Sequence, residues 1–287
     1  MHESSSARLR ITCADRPGIV AAVSNFLYSH GANITSLDQY STDPEGGVFF
    51  MRQEFQTPHL DLTRSALESA FQGVVADRFE MDWNITYSTD KKRMAVLVSG
   101  QEHCLLELLW RWSRGELDCD VRMVLSNHPV HREAVEAFGI PYHYIAEAAD
   151  DRAAAEARML ELLEGQVDVL VLARYMRILT GEFVSRFPES IINIHHSFLP
   201  AFPGADPYRQ AKDRGVKLIG ATAHYVTAEL DAGPIIEQDV ARVSHRQSVE
   251  ELRRLGRDIE RQVLARAVRL HLEDRIIVHQ NKTIVFR

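Results

Sequence analysis

Apolar and polar positions alternate along Leu9-Arg10-Ile11-Thr12-Cys13, a period of two that predicts a strand. Ile19, Val20, Val23, Phe26 and Leu27 then recur at helical spacing. Asp15-Arg16-Pro17-Gly18 stands before them; Asp15 is expected to cap the helix, and Pro17 is tolerated in a first turn whose N–H groups lack partners. Gly31 is expected to end the helix, since glycine enters the left-handed conformation without a Cβ clash. Strands are predicted over residues 33–40 and 48–55, divided by the turn Asp43-Pro44-Glu45-Gly46-Gly47. A helix over 60–75 and a strand over 78–87 complete a β-α-β-β-α-β order, the ferredoxin-like unit.

Ser88-Thr89-Asp90-Lys91-Lys92-Arg93 is wholly polar and reads as a linker, dividing the chain into residues 1–87 and 94–287. Beyond it the pattern changes. Short apolar runs at 94–98, 121–125, 142–145 and 167–172 alternate with helical stretches, among them Leu105, Leu106, Leu108, Leu109 and Trp112, then 132–138 and 153–163. Apolar strands alternating with helices predict an α/β, Rossmann-like domain whose mostly parallel sheet is covered on both faces. Strands are favoured over 217–236. A long helix over 249–272 carries six arginines from Arg253 to Arg269, interleaved with Glu250, Glu251, Asp258 and Glu260; the alternating charge reads as a solvated or interface face. Residues 276–286 read as a closing hairpin with its turn at Asn281-Lys282.

Composition narrows the partners. At 287 residues with a formal net charge of −7, the chain has no global basic field for nucleic acid. No long apolar run suggests a signal or a membrane span, so a cytoplasmic protein is expected. Cys13, Cys104 and Cys119 are scattered, with no zinc spacing, as reduced thiols would be.

Candidate chemistry is concentrated after Ser190-Ile191-Ile192, which reads as the end of a buried strand. Asn193-Ile194-His195-His196-Ser197 places an amide, two imidazoles and a hydroxyl at the site where open α/β sheets bind ligands. Asn193 and His195 are two apart and, in an extended segment, lie on one side. A donor and an acid on one side suit a carbonyl oxygen gaining negative charge. Further on, His224 and Asp231 follow, and a carboxylate could orient His195 or keep it protonated. A metal site or a plain polar loop would use the same residue types.

Asn193-Ile194-His195 with Pro200, and Leu230-Asp231-x-Gly233-Pro234, resemble the formyltransferase family that uses 10-formyltetrahydrofolate. The runs Ala173-Arg174-Tyr175-Met176-Arg177-Ile178-Leu179, Ile192 to Pro200 and Gly220 to Val226 are similar to its deformylase branch, hydrolases with an ACT domain ahead of the formyltransferase domain. The resemblance implies that Asn193, His195 and Asp231 are catalytic. It places Tyr175, Met176, Arg177, Ile178, Leu179, His196 and His224 around the folate. It implies no cofactor beyond the folate substrate, no metal, and release of formate that supplies purine synthesis and balances one-carbon folate pools. The turn after the first strand resembles that of ACT domains, which implies an amino-acid effector near Arg16 and Gly18 and a homo-oligomer. Asp206 receives no role. One departure bears on the reaction: Ser99-Gly100-Gln101-Glu102-His103-Cys104 has a single glycine and an acidic residue where a ribonucleotide-binding member has a glycine-rich phosphate loop. Water is therefore favoured over a nucleotide acceptor. Formyl transfer to an amine, a non-catalytic amino-acid sensor, and a metal hydrolase using His195, His196, His224 and Asp231 are the competing readings.

Overall fold

The computed structural model describes residues 5–43, 45–146, 152–200 and 207–287; Pro44 and 201–206, with Asp206, lie outside them. The chain forms two compact units. Met1–Lys91 group with Asp274–His279 and Ile284–Arg287, while Lys92–Glu273 group with Gln280–Thr283. The first unit is therefore built from both ends of the sequence, which a linear division at 88–93 does not provide.

In the first unit β1 (Ser6–Ala14), β2 (Asn33–Ser41), β3 (Val48–Gln56) and β4 (Asp82–Tyr87) form an antiparallel sheet in the order β2-β3-β1-β4. Alternation in β1 buries Ala7, Leu9, Ile11 and Cys13 against α1 (Ile19–Ser29) and α2 (Arg64–Phe71). A π-helical turn at Gln72–Ala76 and the short α3 (Asp77–Phe79) lead into β4. The second helix thus starts later than expected, at Arg64, where the Thr63 hydroxyl accepts from the Ala66 N–H. Asp15 is not a cap. The residue before α1 is Gly18, at φ 95°, and the Asp15 carboxylate instead accepts from the Ser41 hydroxyl at 2.5 Å. The C-terminal residues complete this unit: the guanidinium of Arg52, 1% exposed, donates to the Asp274 carbonyl, Arg10 donates to the Ile276 carbonyl, and the Phe50 and His279 rings stand 5.2 Å apart.

The second unit carries a seven-stranded sheet. Its strands are β5 (Arg93–Val98), β6 (Asp120–Ser126), β7 (Tyr142–Tyr144), β8 (Val169–Ala173), β9 (Ile191–His195), β10 (Leu218–Tyr225) and β11 (Ile235–Arg242). Their order is β11-β10-β9-β8-β5-β6-β7, parallel from β9 to β7 and antiparallel where β10 joins β9 and β11 joins β10. The connecting helices are α4 (His103–Ser113), α5 (Arg132–Glu136), α6 (Arg152–Leu163), α7 (Gly181–Ser185), α8 (Pro207–Asp213) and α9 (Val249–Leu272). Every residue of β8 is buried, as its apolar run requires. The order reverses between β5 and β8, the switch point at which α/β sheets take ligands. A capping box between Ser248 and Glu251 starts α9. The closing hairpin of β12 (Ile276–His279) and β13 (Lys282–Val285) turns at Gln280-Asn281, one residue earlier than predicted, with Gln280 at φ 56°. No helix among the described residues is long and apolar enough to cross a membrane.

Candidate active site

The strand expected to stop at Ile192 runs on through His195. Its polar end stays in the ladder because β10 pairs with it, His224 opposite Asn193 and Thr222 opposite His195. Directly opposed side chains on one face touch, and Asn193 Nδ2 lies 3.2 Å from His224 Nε2. The Nδ1 of His224 is 2.9 Å from the Tyr225 carbonyl, which can only accept, so Nδ1 carries a proton. In the neutral ring Nε2 then accepts from Asn193, which fixes the donor edge of that amide, whereas in the protonated ring Nε2 can donate towards Asp231 instead.

Asp231 sits in the β10–β11 connection at φ 55°, a conformation asparagine and aspartate tolerate better than most residues. The loop returns tightly: a Cβ at Gly233 would lie 1.8 Å from the Tyr225 carbonyl oxygen, which gives the glycine of Asp231-x-Gly233-Pro234 its physical reason. One Asp231 oxygen lies 3.2 Å from His195 Nδ1 and the other 3.7 Å from His224 Nε2. Hydrogen bonding from His195, then from His224, holds the Asp231 carboxyl well below the usual carboxylate range, against the upward pull of burial. Across the ring, His195 Nε2 is buried with no hydrogen-bond partner among the described residues. Buried polar groups are rarely left so, and this one borders a cleft of about 560 Å³.

The structure brings Asn193, His195, His196, His224 and Asp231 to this cleft, and Tyr175 to Leu179 line it as well. Met176 and Ile178 are more than half exposed there, while Tyr175 and Leu179 belong to the core beneath. The Met176 N–H donates to the Ser99 hydroxyl at 2.9 Å, tying the segment to the loop after β5. His196 is pushed down to about 4, by burial first and then by the Arg174 charge, and its ring lies 5.2 Å from that of His195.

Several residues of the cleft are not evident from the sequence pattern. The alternating charge of α9 reads as a solvated or interface face, but Glu260 is 1% exposed. It accepts from His103 Nε2 at 2.8 Å and from the Tyr208 hydroxyl at 2.6 Å, and Arg174 Nε lies 3.5 Å away. Burial pushes its carboxyl up, but His103, Arg174 and Tyr208 more than offset that, and the net shift is downward. Arg253 and Arg257 also border the cleft. The signal was present: Leu252, Gly256, Val263 and Ala267 form an apolar stripe, and Glu260 falls on it. His103, Cys104 and Glu260 are the one group with metal-ligand spacing among the described residues. The nearby Arg174 guanidinium opposes a cation there, and burial, then the Glu260 charge, pushes the Cys104 thiol well up.

In the first unit Arg16 donates to the Arg78 carbonyl at 2.9 Å and lies over the Phe79 ring. Together with Asp15, Gly18, Tyr40 and Ser41 it borders a separate, more open cleft.

The family model for formyl transferases matches residues 92–268, and the ACT domain model matches 7–72. A formyltetrahydrofolate deformylase of Bacillus subtilis is 58% identical over 97% of this chain and 93% of its own length. The chain belongs to the formyltetrahydrofolate deformylase family. A solved deformylase from Pseudomonas syringae superposes with a TM-score of 0.96 at 52% identity, covering 100% of this chain and 96% of that one. A glycinamide ribonucleotide transformylase from Symbiobacterium toebii matches more distantly, at 35% identity and a TM-score of 0.66, covering 71% of this chain and 98% of its own. The deformylase family thus shares its second domain with a transformylase and adds the ACT domain.

Proposed function

We propose that this chain hydrolyses 10-formyltetrahydrofolate to formate and tetrahydrofolate, with Asn193, His195 and Asp231 as the catalytic residues. The observation that carries the reading is the state of His195. Its Nδ1 is held by Asp231, and its opposite nitrogen is buried without a partner beside Asn193. With the ring protonated, that nitrogen and the Asn193 amide are two donors for one oxygen. Water attacks the formyl carbon, and the carbonyl oxygen becomes an oxyanion that both donors stabilise; loss of one such donor typically costs about 10²–10³ in rate. Asp231 orients His195, balances the ring's charge when it is protonated, and accepts or positions the proton of the attacking water. The tetrahedral intermediate collapses by breaking the bond to N10, which takes a proton as it leaves.

Met176, Arg177 and Ile178 flank the pterin at the mouth of the cleft, Tyr175 and Leu179 support them, and His196 and His224 complete the wall. The chemistry needs no cofactor and no metal. The protein acts in the cytoplasm as a homo-oligomer assembled through its ACT domain, and a small amino acid binds near Arg16 and Gly18 as effector. The deciding experiment incubates the purified protein with 10-formyltetrahydrofolate after chelation and without an amine. Formate and tetrahydrofolate should appear in equal amounts. Turnover only with an added amine or metal would refute the reading.

A further inference from the structure

We propose that the buried group of Arg174, Glu260, Tyr208 and His103 selects water as the acceptor by filling the side of the cleft from which an amine would reach the formyl carbon. The inference rests on the hydrolytic reading above and extends it to why water alone is used. The group stands next to the reacting pair. Arg174, Tyr208 and Glu260 border the same cleft as Asn193, His195 and Asp231. His196 spans the gap, its ring 5.2 Å from that of His195 and 6.2 Å from that of Tyr208.

The arrangement is costly for something that only holds the fold together. Arg174 adopts φ 62°, a left-handed conformation that strains a residue with a Cβ and that glycine adopts freely. Its guanidinium is 7% exposed and its partner carboxylate 1%. Removing two charges from water is unfavourable, and well-packed apolar residues would often do as well for stability. A backbone strained to bring a cation into a cleft marks a functional constraint.

The group is also closed upon itself. Glu260 receives His103 and Tyr208 and faces Arg174, while Arg174 Nε also donates to Gln101 at 3.3 Å. A carboxylate so engaged is not available to grip an incoming amine. Gly256, one helical turn before Glu260, gives up its side chain for this packing, since a Cβ there would lie 1.9 Å from the Tyr208 hydroxyl. The transformylase with the same domain must admit an amine acceptor, whereas water needs no such room.

The test is the partition of formyl groups, a ratio that general destabilisation does not move. In the competing reaction the nitrogen of a small amine bonds to the formyl carbon, the bond to N10 breaks, and a proton from the amine ends on N10, giving a formyl amide and tetrahydrofolate. Arg174→Gly with Glu260→Gln relaxes the backbone and leaves no buried charge unpaired. With excess glycinamide, wild type should give formate with at most a trace of formyl amide, and the double variant should raise that fraction at least tenfold. Should the double variant fail to fold, Arg174→Lys keeps the charge, withdraws the planar head and should raise the fraction severalfold. A folded variant of either kind that still yields only formate overturns the inference, whatever its absolute rate. A wild-type protein that releases no formate would instead remove the hydrolytic reading itself.

Discussion

Replacing Asp231 by asparagine tests the centre of the site with little disturbance to its shape. At φ 55° asparagine is accepted as readily as aspartate, whereas alanine would add backbone strain to the result. The substitution removes a charge 3.2 Å from His195 Nδ1. Against a protonated ring, that pair is worth about 5 kcal/mol at an effective dielectric of 20 and about 1 kcal/mol at that of water. The Asp231 side chain is 25% exposed, so a value between these, about 3 kcal/mol, applies. At about 1.4 kcal/mol per decade this is a fall of roughly two orders of magnitude in kcat. The range for a lost acid–base group, about 10²–10⁴, includes it. Steady-state formate release gives kcat and KM, and a thermal melt reports folding. The expected variant is folded, has a KM near that of wild type and turns over about a hundredfold more slowly. A kcat within threefold of wild type would refute the role given to Asp231.

Two further outcomes can be measured. His196 titrates near 4 in the folded protein against about 6.5 unfolded, so the unfolded chain binds the extra proton between those values and stability falls by about 3 kcal/mol as pH drops through that window; His196→Gln should flatten urea-melt stability between pH 6.5 and 4, and parallel profiles would disprove it. An amino acid binding near Arg16 at a hundred times its Kd should stabilise the protein by about 2.7 kcal/mol, visible as a thermal shift that Arg16→Ala removes; if none of the common amino acids shifts the melt, the ACT domain serves assembly alone.

The parts of the fold that were legible were those whose local pattern and burial agree. The wholly apolar β8 and the alternating β1 announced themselves, and α9 matches its predicted span of 249–272. That Asn193, His195 and Asp231 meet at one cleft follows from residue type and family resemblance together. Tertiary partners decided the rest. Asp15 looks like a cap until Ser41, distant in sequence, claims its carboxylate. Glu260 looks like one more charge on a charged helix, because its partners His103, Arg174 and Tyr208 come from three other stretches of chain. The end of β9 was misplaced because polarity suggested a loop, while ladder pairing to β10 is indifferent to what the side chains carry.

The two-ended make-up of the first unit has a consequence in time. A ribosome finishes its N-terminal sheet early but releases Asp274–His279 and Ile284–Arg287 last. At about 5–20 residues per second, the roughly 180 residues between the two parts take about 10–40 s to synthesise. Throughout that interval Arg52 lacks the Asp274 carbonyl that receives its guanidinium, and Phe50 lacks the His279 ring. The nascent ACT unit therefore waits, unfinished, with a charged and an aromatic side chain uncovered. A stop codon after Lys91 would make that waiting state permanent, so the excised N-terminal fragment should behave as a sticky folding intermediate, and adding the C-terminal residues back as a peptide should quieten it.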